Sequence, residues 1–393
     1  MPSSSYRIAS IDILRGIIMI IMALDHTRDF FHQTAITADP LDIATTTPAL
    51  YFTRWITHYC APLFVFLSGI SAFLAAQRRT RQQASLFLIK RGLWLVLIEI
   101  TLVTLGLTFN PFYNFIILQV IWAIGWSMVI LGLLSRLGYK AVLITGLVLF
   151  FGHNLSNYAT LPATGVTGIL WSALLTSPGI VVPLDTHHFV GIFYTILPWT
   201  GVMLLGYCTG YLYTQAYPAE KRKHVLLSAG FFLVALFMSL RIINVYGNPL
   251  PWKPQQDFLS NLLAFLNTSK YPPSLQYLCM TLGPGLVALP LLENAKTGWA
   301  RIVSVYGSVP FFYYLLHFYL LHSLLVIVFF LSGYTAAQIA DPASIFLFRP
   351  AQFGFSLPFV YTIWIGAVIL LYFPCRRFQQ YKKQHTHWWL SYV

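Results

Sequence analysis

Apolar segments long enough to cross a lipid bilayer recur along this chain, and no other feature restricts its fold so strongly. A transmembrane helix needs about 20 consecutive, mainly apolar residues, and its backbone polar groups must be hydrogen-bonded within the segment. Ten segments approach that length, and we predict a helix in each: residues 11–31, 56–76, 85–108, 114–134, 140–157, 190–214, 224–243, 274–292, 303–331 and 356–374. We therefore expect an all-α, polytopic membrane protein of about ten transmembrane helices, in one domain over residues 1–393.

The composition argues against a soluble globular protein. Of the 393 residues, 57% are hydrophobic and 9% are charged, against about 25% charged residues in a typical soluble domain. A soluble chain of this length needs far more polar residues to cover its core. The first apolar segment is too long, and too charged at its far end, for a cleaved signal peptide, so we expect it to remain as a helix.

The placement of the basic residues predicts the orientation in the membrane. If the N-terminus lies in the cytoplasm, 18 of the 24 Lys and Arg fall on the cytoplasmic side, as the positive-inside rule requires. These are Arg7, Arg15, Arg78, Arg79, Arg81, Lys90, Arg91, Arg136, Lys140, Lys221, Arg222, Lys223, Lys296, Arg301, Arg376, Arg377, Lys382 and Lys383. The other six are Arg28, Arg54, Arg241, Lys253, Lys270 and Arg349. Both termini are expected in the cytoplasm, with the protein in the cytoplasmic (inner) membrane and no nucleic-acid partner.

The cysteines and histidines show no pattern of a metal site. The four cysteines, at positions 60, 208, 279 and 375, lie in or at the ends of apolar segments and lack CxxC spacing, so we interpret them as small buried hydrophobic residues. No His/Asp/Glu spacing indicates a bound metal. Five histidines lie at helix ends or in loops, and most of them are expected to be solvated: His32, His58, His153, His187 and His188.

The first predicted helix carries an unusual density of ionisable residues: Arg15, Asp25, His26, Arg28 and Asp29. Such residues are costly inside a bilayer and are therefore the first functional candidates. Eleven residues make three helical turns plus about 20°, so Arg15 and His26 share one face, roughly 16 Å apart along the axis. Asp25 and Arg28, and likewise His26 and Asp29, are three residues apart and can touch.

These spacings allow a catalytic interpretation and a structural one. A histidine beside a carboxylate, shielded from bulk water, can act as a general base. On that interpretation His26 is catalytic and is oriented by Asp29 or Asp25. In the structural alternative, Asp25, Arg28 and Asp29 form an ion-pair cluster, and His26 is only hydrogen-bonded.

Two further ionisable residues lie inside apolar segments. Glu99 should face a polar interior, with a role either in catalysis or as the partner of an Arg or His on another helix. His317 is a further catalytic candidate, and Tyr313 or Tyr314 can share its face because they precede it by one helical turn. His322 lies about 140° round the helix from His317, so these two histidines are not expected to converge.

Several motifs resemble a family of membrane acyltransferases, the heparan-α-glucosaminide N-acetyltransferase-like proteins. In the first helix they are residues 10–16 (SIDILRG) and 24–26 (LDH). The spacing from Arg15 to His26 is also similar to that of bacterial O-acyltransferases that modify surface polysaccharides. The other matching motifs are residues 62–69 (PLFVFLSG), 198–207 (PWTGVMLLGY) and 309–317 (VPFFYYLLH).

The resemblance implies an enzyme that moves an acyl group, usually acetyl, from cytoplasmic acetyl-CoA to an amine or hydroxyl across the membrane. The acceptor would be a sugar, a glycolipid or another small molecule. A histidine is the expected catalytic residue of this family, and His26 matches its arginine-spacer-histidine pattern. The animal enzymes have an asparagine near this point and their histidine later, so His32 is a competing choice.

The chemistry of acyl transfer suggests roles for further residues. Arg15, with the basic segment 78–91 and especially Arg91, is placed to meet the phosphates of CoA, because guanidinium groups bind phosphate well. Oxyanion stabilisation can come from Arg28, Ser68 or Tyr314 if the helices bring them together. A covalent acyl-histidine is equally compatible with the sequence.

A different class of function, a proton-coupled transporter or flippase, also fits part of the pattern. Asp25, Glu99 and His317 would then form a proton relay, although the inverted repeats of many carriers are not apparent in the sequence. A non-catalytic scaffold or sensor agrees poorly with so many buried ionisable groups. Long external connections are expected at 32–55, 158–189, 244–273 and 332–355, and the second of them contains an apolar run, 165–175, that fits a short interfacial or re-entrant helix. Membrane lipids are expected partners, and an oligomer is compatible with the sequence.

Overall fold

The computed structural model describes residues 8–162 and 164–392. Arg7, predicted to lie on the cytoplasmic side, is outside these described residues. Fifteen α-helices make up most of the described part of the chain: α1 Ala9–Phe31, α2 Pro48–Thr57, α3 Cys60–Ala76, α4 Arg81–Ile98, α5 Thr104–Thr108, α6 Val120–Leu134, α7 Tyr139–Gly152, α8 Gly165–Trp171, α9 Ile196–Thr209, α10 Ala219–Ile243, α11 Phe258–Leu266, α12 Leu275–Leu292, α13 Gly298–Ser308, α14 Pro310–Leu331 and α15 Leu357–Gln384. The protein is therefore mostly helical.

Each of the ten predicted segments contains a helix, but three of them are interrupted. In the segment 56–76, α2 ends at Thr57 and α3 begins at Cys60. The segment 303–331 is divided between α13 and α14 at Val309. Pro310 is the first residue of α14, where its missing N–H costs nothing, whereas inside a continuous helix it would remove a hydrogen bond. The segment 85–108 consists of α4, a π-helical stretch Glu99–Val103, and α5.

A small β-sheet corrects the all-α prediction. The strands β1 Phe115–Leu118, β2 Ile180–Pro183 and β3 Phe189–Ile192 form a sheet in the order β1-β3-β2. β1 and β3 are parallel, and β2 and β3 are antiparallel. The predicted helices 114–134 and 190–214 thus begin as strands, because a short apolar run does not distinguish a buried strand from a helix.

Two short helices lie in connections that were predicted as loops. Thr47 caps α2 by accepting the N–H of Leu50 with its side chain. Asp257 caps α11 in the same way, accepting the N–H of Ser260 at 2.9 Å. These caps are local signals that the hydropathy pattern does not contain. The helix expected near 165–175 is present as α8.

Seven helices in the described residues are long and apolar enough to cross a membrane: Pro48–Ala76, Val120–Leu137, Tyr139–Tyr158, Ala219–Ile243, Leu275–Leu292, Pro310–Leu331 and Leu357–Gln384. Three of the predicted segments fall outside this set for different reasons. α1 contains five charged residues, α4 contains three basic residues, and α9 has only 14 residues. The chain is a multi-pass membrane protein, and the total of ten crossings remains a prediction.

Helix α1 packs against six other helices: α2, α3, α12, α13, α14 and α15. Its crossing with α13 is very close, since a Cβ atom on Gly307 would lie 1.8 Å from the carbonyl oxygen of Asp12, and one on Gly16 would lie 2.1 Å from that of Val303. The pair α3 and α9 crosses in the same manner at Gly69 and Gly206. Small residues allow this approach of backbones in membrane helices. Asp25 and Arg28 of α1 are buried within this packing.

Candidate active site

His26 of α1 and His317 of α14 form the centre of the site. Nδ1 of His26 lies 2.6 Å from Nε2 of His317. The ring centroids are 4.9 Å apart, the ring planes differ by 24°, and Phe318 stacks on His26 at 4.5 Å. His317 is fully buried and His26 is half-buried. The structure thus joins two residues that are 291 positions apart in the sequence.

The second ring nitrogen of His317 determines which of the two histidines donates this hydrogen bond. Nδ1 of His317 lies 3.3 Å from the carbonyl oxygen of Tyr313. A carbonyl only accepts, so in a neutral imidazole this nitrogen carries the proton and Nε2 is the acceptor. Nδ1 of His26 then donates to His317, which leaves the lone pair on Nε2 of His26. That nitrogen can accept a proton from a substrate.

The carboxylates of α1 are held by arginines. Arg54 of α2 donates from Nη1 to Oδ2 of Asp25 at 2.5 Å, and Arg28 donates from Nη2 to Asp25 at 3.1 Å and to Asp29 at 2.6 Å. The hydrogen-bond partner of His26 in the described residues is His317, and not Asp29 or Asp25 as the spacing suggested. The ion-pair cluster of the structural alternative exists beside the histidine pair.

Three residues near this centre were not predicted from the sequence as parts of the site: Arg54, Lys270 and His58. Lys270 is among the charged groups that act electrostatically on His26 and Asp25. Its side chain is 9% exposed, and the ammonium nitrogen lies 5.2 Å from the ring centroid of Tyr271. No other described residue forms a hydrogen bond or ion pair with that ammonium group. The only sequence signal was an isolated Lys in a loop, which is too common to be informative.

Several predicted solvated histidines are buried instead. His58, between α2 and α3, is fully buried, and neither ring nitrogen has a hydrogen-bond partner in the described residues. His153 is buried with Nε2 2.8 Å from the carbonyl oxygen of Pro273. His187 is exposed, as expected, and His188 is half-exposed with its ring 2.8 Å from Asp185. Proximity to a predicted loop did not indicate solvation, because these loops fold back onto the helices.

His32, the competing catalytic residue, is buried at the end of α1. Its Nδ1 lies 3.0 Å from Oγ1 of Thr34, and its carbonyl oxygen accepts from Nη2 of Arg349 at 2.6 Å. The loop that carries Arg349 is ordered by Asp341, which accepts the N–H groups of Ala351 and Ala343. These hydrogen bonds hold the pKa of the exposed Asp341 carboxyl below its usual range.

A cavity of about 150 Å³, which we call the cationic cavity, lies around Arg15 at the opposite end of α1. Arg15 donates to Oγ of Ser71 at 2.7 Å and to the carbonyl oxygen of Gly307 at 3.0 Å. Arg91 and Ser68 line the same cavity, as does Lys382 of α15. The structure therefore brings together Arg15 and Arg91, predicted to meet CoA, and Ser68, predicted for oxyanion stabilisation. It adds Lys382 because α15 extends ten residues beyond the predicted end at 374.

The other two residues predicted for oxyanion stabilisation, Arg28 and Tyr314, lie elsewhere. Arg28 is bound to Asp25 and Asp29, and Tyr314 is beside His317 with ring centroids 5.5 Å apart. The hydroxyl groups of Tyr313 and Tyr314 are buried without a hydrogen-bond partner among the described residues. No described residue uses the hydrogen-bonding capacity of these two hydroxyls.

The transporter hypothesis required a relay of Asp25, Glu99 and His317. Glu99 accepts the backbone N–H of Gln119 at 2.6 Å, and it thereby holds the start of α6. The three residues each bond to different partners and do not form one hydrogen-bonded chain within the described residues. Among the residues that the structure describes, no Arg or His pairs with Glu99, contrary to one expectation from the sequence.

A second cavity, which we call the outer cavity, has a volume of about 620 Å³ and lies at the Asp25 end of α1. Tyr271, the neighbour of Lys270, forms part of its wall. The other lining residues with aromatic, amide or cationic side chains are Asn157, Arg241, Asn248, Trp252, Lys253, Gln255 and Asn267. Arg241 fixes this wall through hydrogen bonds to the carbonyl groups of Ala264, Phe265 and Asn267.

A comparison with protein families decides the class of this molecule. Residues 7–246 match the family model described as "Heparan-alpha-glucosaminide N-acetyltransferase, catalytic". The match covers more than half of the chain. The chain belongs to this family. A comparison with curated proteins gave no match.

Membership in the family identifies a multi-pass membrane acetyltransferase. The matched residues contain α1 with His26, the α3 and α9 motifs, and the cationic residues Arg15 and Arg91. His317 and Lys270, and most of the wall of the outer cavity, lie beyond the matched residues. The described residues contain no group of three or more His, Cys, Asp or Glu that could hold a metal ion.

Proposed function

We propose that this protein transfers an acetyl group from acetyl-CoA to an amino or hydroxyl group of a sugar or glycolipid on the other side of the membrane. The observation that carries the proposal is the pair of His26 and His317, with a free lone pair on His26. Arg15 of the cationic cavity is on the same helix as His26, and Lys270, which acts electrostatically on His26, adjoins Tyr271 in the wall of the outer cavity. Arg15 and His26 are eleven residues apart on one helix, a distance of roughly 16 Å along the axis.

The donor would be bound at the cationic cavity, in the cytoplasm according to the charge distribution. Arg15, Arg91 and Lys382 would neutralise the phosphates of CoA, since guanidinium groups bind phosphate bidentately. Ser68 would contribute little, because its hydroxyl already donates to the carbonyl group of Phe64 at 2.8 Å. The whole chain would act as one domain in the cytoplasmic (inner) membrane, with ten crossings and both termini in the cytoplasm.

The proposed chemistry uses His26 as the general base. The acceptor nitrogen or oxygen attacks the thioester carbonyl carbon, and its proton moves to Nε2 of His26. The C–S bond then breaks, the acetyl group remains on the acceptor, and the CoA thiolate takes the proton from His26. His317 is a positioning residue, because its hydrogen bond keeps His26 in the tautomer with a basic Nε2.

Negative charge that develops on the carbonyl oxygen needs a stabilising group. The buried hydroxyl of Tyr314 and the ammonium group of Lys270 fit this role best. Arg28 is less suited because two carboxylates already occupy it. Lys270 adds a full positive charge in a site with little water, where such a charge has a large effect.

The proposal is tested by measuring release of CoA from acetyl-CoA by the purified protein. The acceptors are glucosamine and glycolipids extracted from the cell envelope. His26→Ala is expected to lower turnover at least 100-fold, the usual scale for loss of a general base. His32→Ala tests the competing histidine, and His187→Ala, at an exposed loop position, is the control. Turnover near wild type in His26→Ala, or a greater loss in His32→Ala, would overturn the assignment of His26.

Variants of His317 test the positioning role separately. Glutamine can still accept a hydrogen bond from Nδ1 of His26, whereas leucine cannot. We therefore expect His317→Gln to retain more turnover than His317→Leu, with the KM for acetyl-CoA unchanged in both. Equal losses in the two variants would contradict this role. Pre-incubation with labelled acetyl-CoA distinguishes a covalent acetyl-histidine, since only that intermediate leaves label on the protein.

A further inference from the structure

Two adjoining cavities lie away from the histidine pair and share Tyr139 in their linings. The first, which we call the polar pocket, has a volume of about 280 Å³ and lies between the end of α3, the start of α4 and the start of α7. Its polar lining residues are Gln77, Arg79, Arg81, Ser135, Tyr139 and Tyr207. It lies at the same end of the helices as the cationic cavity, which is also lined by α3 and α4.

The second cavity, which we call the apolar groove, has a volume of about 320 Å³. Helices α7 and α10 form its walls, and α9 and α12 form most of its floor. Its lining is almost entirely hydrophobic, as in Leu143, Leu147, Phe232 and Leu286. Leu147 is 41% exposed and Phe232 is 57% exposed, so the groove is open on the side that faces the lipid.

The length of the apolar groove suits an acyl chain. It follows α7 from Tyr139 to Phe151, which corresponds to about 18 Å at 1.5 Å per residue. One leaflet contributes about half of the roughly 30 Å hydrocarbon core. The groove thus extends through approximately one leaflet and begins where the polar pocket ends.

The charge around the polar pocket is positive. Arg79 is half-buried, its guanidinium lies 4.0 Å above the ring of Phe87, and it donates to the carbonyl oxygen of Ala75 at 2.5 Å. Arg81 is exposed, and no described residue forms a hydrogen bond or ion pair with its side chain. Arg136 and Lys140 flank the same turn. Neither lining set contains Asp or Glu among the described residues.

We infer that these two cavities together bind one anionic phospholipid. The phosphate contacts Arg79 and Arg81 in the polar pocket, and an acyl chain passes Tyr139 and fills the apolar groove. Basic pockets between membrane helices are typical sites for anionic headgroups. Tyr139 lies where the two cavities join, and its hydroxyl holds it against α9 by donating to the carbonyl oxygen of Cys208 at 3.2 Å. The site is independent of acetyl transfer.

Such a lipid would connect two helices, α7 and α10, that the apolar groove holds apart. α7 packs on α9, and α10 packs on α12, whereas the apolar groove separates α7 from α10. An acyl chain in the groove contacts both walls and fills space that protein atoms leave open, which restores dispersion contacts. Bound anionic lipid is therefore expected to raise the thermal stability of the purified protein, because it binds the folded state only.

The test uses the full-length protein in detergent, with phosphatidylglycerol, phosphatidylcholine or inorganic phosphate added in separate samples. We expect phosphatidylglycerol alone to raise the unfolding temperature and to remain bound in native mass spectrometry. The double variant Arg79→Gln/Arg81→Gln should bind it about 30-fold more weakly, from the electrostatic contribution of two arginines near a membrane surface. Lys221→Gln/Lys223→Gln removes the same charge from an exposed part of α10 and should bind like wild type.

A groove variant tests the acyl chain. Ala229→Phe, in the wall formed by α10, fills part of the apolar groove and should reduce lipid binding while the protein still unfolds cooperatively. Equal stabilisation by phosphatidylcholine, or equal binding by wild type and the arginine variant, would overturn the inference. Stabilisation by inorganic phosphate alone would also overturn it, because the polar pocket would then be an anion site without a lipid chain.

Discussion

At the scale of single residues, the environment of His26 contains one more cation than carboxylates. Asp25 and Asp29 are bound by Arg28 and Arg54, which leaves Lys270 as the additional positive charge. A buried cation is costly unless an anion meets it. In the proposed reaction that anion is the oxygen of the tetrahedral intermediate.

Lys270→Met is expected to lower kcat by at least tenfold, on the scale of a lost oxyanion donor, with little change in the KM for acetyl-CoA. Lys253→Met is the matched control, because Lys253 is an exposed lysine in the wall of the outer cavity. Steady-state CoA release with each variant is the measurement. An unchanged kcat in Lys270→Met would show that this ammonium group does not act on the reacting atoms.

The candidate site could be predicted only in part at this scale. The charge density of α1 identified Asp25, His26, Arg28 and Asp29 because it appears within five consecutive residues. Arg54 and Lys270 come from other elements, and spacing along α1 contains no information about them. His317 was predicted as a candidate from its own helix, but not as the partner of His26. The expected contact between His26 and a carboxylate failed for this reason, since the arginines compete for both carboxylates with stronger, charge-assisted hydrogen bonds.

At the scale of secondary-structure elements, the crossing of α1 and α13 determines the position of Arg15 in the cationic cavity. The close approach at Gly16 and Gly307 allows Arg15 to donate to the carbonyl oxygen of Gly307. This crossing exists only because the predicted helix 303–331 is broken before Pro310. The break lets α13 turn back along the first half of α1 while α14 carries His317 to the second half.

Gly307→Ala is expected to destabilise the protein by about 1–3 kcal/mol, the usual cost of overpacking, and to raise the KM for acetyl-CoA. Gly366→Ala in α15 is the matched control, because a Cβ atom there meets no atom within 4 Å and alanine favours a helix over glycine. Thermal unfolding and steady-state kinetics are the measurements. Equal unfolding temperatures for the two variants would contradict the close crossing.

At the scale of the whole molecule, the basic residues differ in exposure between the two ends of the helices. Of the six basic residues predicted outside the cytoplasm, four are buried and Arg54 pairs with Asp25. Only Lys253 of this set is exposed to solvent. The cations predicted on the cytoplasmic side are mostly at the surface, where the positive-inside rule applies. The two sides therefore differ more in their number of exposed basic residues than in the total number of basic residues counted from the sequence.

Cysteine labelling tests this orientation. In intact cells a membrane-impermeant maleimide should label Gln256→Cys, an exposed position near the outer cavity, and should label Lys221→Cys only after the membrane is permeabilised. The four native cysteines are buried, so background labelling should be low. The reverse pattern would place the cationic cavity outside the cell and would contradict the proposed use of cytoplasmic acetyl-CoA.

The sequence by itself determined the membrane class, the positions of most helices and the family, and it predicted both histidines of the central pair as catalytic candidates. Each of these depends on local properties, because the transfer free energy of a segment and the motif in α1 are contained in consecutive residues. The tertiary structure decided the partner of His26, the buried Lys270, the small sheet and the residues that line the cationic cavity and the outer cavity. These depend on which helices cross and how closely, and that is set by packing between residues hundreds of positions apart.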